Sequence, residues 1–416
     1  MEAKVDDGKF RLFDFAKEEI RILHLTWIAF FLTFFVWFNF APMASTMLES
    51  LDFLTPKHIK TLLLCNVALT IPGRVIIGAM VDKFGPKRVF AILMIVMAIP
   101  GLFFAFGTTF VQLVVSRLFL SVIGAGFVIG IRMTGQWFPP KHIGTAEGFY
   151  AGWGNFGSAA AAGLIPFLAF SVFGGEDGWR WSLATSSILC AVYGVIYFIF
   201  ARDLPKEGAT EDYHFVAAKK MGAMPVSSYK DLIQYIIWSF PLYGALGVLV
   251  WKLGAMDVDG VPMLSSTVVN IIYVVLGLWY LYTVYGIVKE NLPALKKGVP
   301  EEEKYSWSSV AALNSTYFAN FGAELAVVSM LPMFFLTVFE PLKNEAGESI
   351  MTVTLAGLVA GSFAFINLIA RPLGGYLSDK MNSRKNTMLI YMVGITIGFF
   401  LMALIPKYGE IVDGVQ

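Results

Sequence analysis

Charge is scarce in this chain: Asp, Glu, Lys and Arg make up 15% of its 416 residues, against 57% hydrophobic ones. A water-soluble domain carries about 25% charged residues, because its surface must stay hydrated. The deficit runs the length of the sequence instead of marking one apolar patch, and mean hydropathy is +0.67. Lipid is therefore the expected solvent for most of the surface. Cysteine is nearly absent. Cys65 and Cys190 both lie inside apolar runs without metal-ligand spacing, which argues against a disulfide framework or a zinc site. Four scattered histidines, of which only His24 borders a hydrophobic run closely, argue against bis-His haem, so no metal and no cofactor are expected. A net charge of +1 gives no reason to expect nucleic acid as a partner. No cleavable signal peptide stands out, and the charged opening stretch, Met1 to Glu19, reads as a cytoplasmic amphipathic tail.

Long apolar runs are what the chain has in abundance. A helix needs about 20 residues to cross a bilayer. Candidates lie at about 24–47, 60–80, 89–107, 110–134, 145–173, 181–201, 231–252, 264–288, 308–338, 351–377 and 387–405. This pattern predicts an all-α, multi-pass membrane protein. Basic residues such as Lys83, Lys87, Arg88, Arg202, Lys296, Lys297, Arg384 and Lys385 crowd into alternate connections. The positive-inside rule then puts the N-terminus in the cytoplasm, and the cytoplasmic (inner) membrane of the cell is the expected location. The longest polar stretch, about 202–230, is too short for a soluble catalytic or signalling domain. A non-transporting sensor or enzyme subunit is the least favoured class.

An internal repeat is the most informative similarity. Residues 74–83 read RVIIGAMVDK and residues 371–380 read RPLGGYLSDK, with Arg74, Gly78, Asp82 and Lys83 matching Arg371, Gly375, Asp379 and Lys380 without a gap. Each copy ends a membrane helix and opens a short basic turn. Eight helical residues rise about 12 Å, so each arginine lies well inside the hydrocarbon layer. A charge there costs at least about 2.5–3.5 kcal/mol unless it is paired or faces water. Neither helix has an acidic residue near its arginine, so a diffusible anion is the expected partner, with a structural pair as the blander alternative. The forked donors of a guanidinium suit a planar oxyanion.

The repeated turn resembles the loop motif of the major facilitator superfamily. That resemblance implies two pseudo-symmetric helix bundles. Residues 1–205 form the first six-helix bundle, 206–305 a central cytoplasmic loop carrying an inserted hairpin at about 231–288, and 306–416 helices seven to nine. The superfamily pattern has three further helices, so the second bundle reads as incomplete at Gln416. The hairpin carries no catalytic constellation and is expected at the periphery.

A second run, GFYAGWGNFGSAAAAG from Gly148 to Gly163, resembles the nitrate signature of the NarK-type nitrate/nitrite porters. Its small residues alone are a helix-packing motif. The resemblance adds substrate contact by Asn155, Gly154 and Gly157. It also implies an aromatic sandwich at Phe127 and a hydroxyl donor at Tyr317, with Asn314, Asn320 and Phe321 at helical spacing around the tyrosine. Glu324 is expected as a proton site or a counter-charge, and Asp82 and Asp379 as gating groups. The implied function is exchange of nitrate for nitrite by alternating access, carried out by a monomer with no obligate protein partner, in contact with membrane lipid. Nitrate–proton symport, or carriage of another small anion such as formate, are the alternatives.

Overall fold

A computed structural model describes residues 11–204, 223–258, 260–344, 347–381 and 383–404. The opening residues 1–10, most of the polar stretch after 204 and the residues beyond 404 lie outside the described residues. Helices dominate. They are α1 Glu18–Phe38, α2 Ala44–Ser50, α3 Pro56–Ala68, α4 Thr70–Phe84, α5 Pro86–Ala105, α6 Phe110–Leu120, α7 Gly126–Trp137 and α8 Pro140–Phe167. They continue as α9 Gly178–Phe200, α10 Tyr229–Gly254, α11 Ser266–Lys297, α12 Trp307–Val338, α13 Val353–Phe365, α14 Asn367–Lys380 and α15 Arg384–Met402. Joined where they run on from one another, the described residues make 11 spans long and apolar enough to cross a membrane. Each falls on one of the runs read from hydropathy.

Several spans are broken, and some of the breaks have local causes. Pro42, in a 3-10 turn at Ala41–Met43, interrupts the first span between α1 and α2. The second span breaks between α3 and α4, and the tenth between α13 and α14. These two breaks are equivalent. α3 and α13 are each 13 residues long, and Arg74 and Arg371 are each the fifth residue of the helix that follows. Pro72 stands two residues before Arg74 and lacks the backbone donor that would reach the Ala68 carbonyl at the α3–α4 break, whereas Pro372 follows Arg371 inside α14, past the break at Ile366. The repeat seen in the sequence is thus a repeat of helix geometry.

α8 is the central element. One face carries Gly154 and Gly157 against α1: a Cβ at Gly154 would collide with the Phe30 ring, and one at Gly157 with the Phe31 carbonyl. The opposite side meets α13 and α14. A Cβ at Gly357 would collide with the Ala162 carbonyl, one at Gly361 would stand 3.1 Å from the Ala159 carbonyl oxygen, and one at Gly152 3.1 Å from that of Asn367. Small residues let backbones approach this closely, and dispersion and interhelical hydrogen bonds gain accordingly. The alanine–glycine run therefore joins α1 to the helices of the repeat's second copy.

α10 and α11 lie beside each other, linked by a two-stranded turn, β1 Asp257–Val258 with β2 Val261–Pro262. The turn end rests on α3: Lys57 Nζ donates to the Ala255 carbonyl at 3.4 Å, and Thr61 Oγ1 to Met256 Sδ at 3.2 Å. The other end rests on the entry to α12. There Asn291 accepts from Val226 N at 2.8 Å and donates to the Met224 carbonyl at 3.1 Å, and the rings of Tyr235 and Trp307 lie 5.1 Å apart.

Candidate functional site

Arg74 lies half-buried on α4, where the kink turns it toward α7 and α12. Its Nη2 reaches the Gly124 carbonyl at 3.5 Å, at the edge of hydrogen bonding. Its Nε is buried without a partner. Among the described residues it has no ion pair. The guanidinium carbon instead lies 5.6 Å from the Phe127 ring centre and 4.9 Å from that of Phe321, within the range of cation–π attraction. The two rings are near-parallel, 25° apart in plane, with centroids separated by 6.5 Å. Phe321 in turn stacks on Tyr317 at 5.2 Å. Tyr317 is 48% exposed, and its hydroxyl has no hydrogen-bond partner among the described residues.

Phe127 is held from behind. The Tyr150 hydroxyl, on α8, donates to the carbonyls of Gly126 and Phe127 at 3.2 and 3.1 Å, pinning the first turn of α7. Its ring stacks on Phe30 at 4.9 Å. Tyr150 lies inside the glycine-rich run, yet reading that run for small residues passes over it.

Arg371 corrects the expectation that both arginines lack an acidic partner. Its Nη2 donates to both oxygens of Glu324, at 3.3 and 3.2 Å. Glu324 also accepts from Asn155 Nδ2 at 3.2 Å and from Asn367 Nδ2 at 3.1 Å, both at Oε1. The carboxylate lies on another helix, 47 positions away, so no reading along α14 alone reveals it. The geometry gives Glu324 the counter-charge arrangement of its two expected roles. Asn155 is thereby tied to Glu324, and its own Oδ1 is buried without a partner.

The remaining expected residues divide. Gly154 and Gly157 face α1, where Gly154 meets the Phe30 ring, itself 5.5 Å from that of Phe127. Asp82 faces Arg132 at 3.9 Å across an exposed pair, the surface geometry that contributes little to stability. The side chain of Asp379 lies outside what the structure describes. Asn367, absent from the sequence expectations, joins the site because the α13–α14 break delivers it one turn before Arg371. Arg117 is a further charge that those expectations miss. Completely buried, it donates to the Trp37 carbonyl at 2.5 Å and to Asn39 Oδ1 at 3.2 Å, beside the rings of Phe40 and Phe104.

Residues 26–412 match the family model described as "Major Facilitator Superfamily". The chain is also 42% identical over 396 residues to the nitrate/nitrite transporter NrtP of Nostoc punctiforme, covering 94% of this chain and 75% of that one. The chain belongs to the nitrate/nitrite porter family of the major facilitator superfamily. The NrtP of a Picosynechococcus species is likewise 42% identical, over 92% of this porter and 72% of its own length. A probable nitrate transporter, NarT of Staphylococcus aureus, is 25% identical over 92% of this porter and 95% of its own length. Porters of this superfamily are not enzymes. The helical repeat with its two equivalent kinks is the architecture expected of parallel repeats in secondary transporters.

Proposed function

We propose that this porter carries nitrate and nitrite across the cytoplasmic membrane by alternating access, exchanging one for the other. The observation that carries the reading is Arg74: a guanidinium in a membrane-length apolar span, without a carboxylate partner among the described residues, beside two near-parallel aromatic rings. A separation of 6.5 Å is close to twice the contact distance of about 3.5 Å, so a planar ion fits between such rings with little widening. Nitrate and nitrite are both planar and singly charged. The 42% identity to transporters named for these two ions supports the same choice. The basic connections support a cytoplasmic N-terminus. We read residues 1–205 and 306–416 as the two moving halves, with the hairpin between them inserted.

Exchange follows from the unpaired charge. Closing the site around Arg74 alone strands a cation in a dry interior, which costs several kcal/mol. A bound monovalent anion removes most of that cost, so the loaded carrier reorients and the empty one lags. In liposomes containing the purified protein, labelled nitrate should enter rapidly when nitrite is inside and slowly when no anion is. Equal rates in the two cases would overturn exchange. Uptake that follows an inward proton gradient without internal nitrite would establish symport in its place.

A further inference from the structure

We propose that Glu324 sets the valence of the anion this porter accepts. The inference rests on the reading of Arg74 as the anion site and deepens it. Two guanidiniums and one carboxylate are linked through α12: Arg74 lies beside the Phe127 and Phe321 rings, and Arg371 pairs with Glu324. Phe321 and Glu324 are three residues apart on α12, hence on one side of that helix. The ring over one arginine and the carboxylate on the other are therefore neighbours.

Glu324 is fixed, not free to swing. Amides from two helices, Asn155 on α8 and Asn367 on α14, donate to the oxygen that also meets Arg371. The side chains of the pair are 27% (Arg371) and 15% (Glu324) accessible, so water screens them only in part. Arg371 is thus neutralised from within, and among the described residues the site presents one net positive charge. A monovalent anion brings the closed site to zero. A divalent anion leaves it at minus one and so strands a charge in the interior, the penalty that buried unpaired ions incur. Selection of a singly charged substrate then follows from the charge sum, while the aromatic pair selects for shape.

The test separates charge from shape with perchlorate and sulfate, two tetrahedral oxyanions of similar size and different valence. Their binding to the full-length protein in detergent is measured by titration calorimetry. Wild-type protein should bind perchlorate at least about tenfold more tightly than sulfate. Glu324→Gln keeps an oxygen for the two asparagines but raises the net charge to two, and should move the ratio about tenfold or more toward sulfate. Arg371→Gln brings the sum to zero and should weaken both anions. The double variant, Glu324→Gln with Arg371→Gln, returns the sum to one and should recover both binding and the preference for perchlorate.

A Glu324→Gln ratio equal to wild type overturns the proposal. So does a double variant that binds no better than Arg371→Gln alone, a comparison that stands even if Glu324→Gln does not fold. The nitrate reading fails separately: wild-type protein that prefers perchlorate to sulfate but neither binds nor carries nitrate sinks that reading and leaves the valence rule standing.

Discussion

Arg74 and Arg371 look interchangeable when their surroundings in the chain are compared, yet their side chains meet different partners. Arg371 has a carboxylate and Arg74 has rings and an empty Nε. A charge inside an apolar run singles out both of them; Arg117, which the sequence expectations passed over, carries the same signal, and its partners are the carbonyl and amide at the break of α1. The signal thus finds buried charges without telling a binding group from a staple. Replacing Arg74 by lysine keeps the charge and removes the planar fork. One lost charge-assisted hydrogen bond is worth about 1.5–3 kcal/mol. Nitrate affinity of Arg74→Lys should therefore drop by about 10- to 100-fold, read as a rise in the half-saturating concentration for uptake. Wild-type affinity in that variant would remove Arg74 from the site.

Helices supply the next level of constraint. The run from Gly148 to Gly163 was legible as a close-packing surface, but its two faces were not, because a string of small residues does not say which neighbour lies on which side. α1 takes the face of Gly154 and Gly157, while α13 and α14 take the other. Asn155 lies between the two faces and reaches Glu324. A methyl group at Gly157 meets the backbone of Phe31, which cannot turn aside, whereas one at Gly163 meets only the tip of Leu358, 2.9 Å away. Overpacking costs about 1–3 kcal/mol where nothing yields. Gly157→Ala should lower the melting temperature clearly and Gly163→Ala hardly at all, by fluorescence melting of the purified protein. Similar melting of the two would mean that α1 and α8 are less tightly apposed than the structure places them.

In the whole molecule, the hairpin of α10 and α11 touches α3 at its turn and the start of α12 at its base. Asn291, buried on α11, closes the base by bonding both Val226 and Met224. Its loss leaves the buried Val226 N–H unsatisfied, at about 1–3 kcal/mol. Asn291→Ala should melt earlier than wild type yet bind nitrate with unchanged affinity, since the Arg74 site is built from other helices. A parallel loss of nitrate affinity would instead couple the hairpin to the site.

Spans, the repeat and the membrane class are written in hydropathy and spacing, because lipid requires every crossing segment to be long, apolar and internally hydrogen-bonded whatever its neighbours. Even the kink before Arg74 leaves a local trace, in Pro72. Charge pairing leaves none. Which arginine is neutralised depends on how α12 is rotated against α14 and α8, and that rotation is set by packing between segments far apart in the chain. So the anomaly of two charged residues in an oily sequence could be read directly, while the net charge they present to a substrate emerges only once the helices have docked.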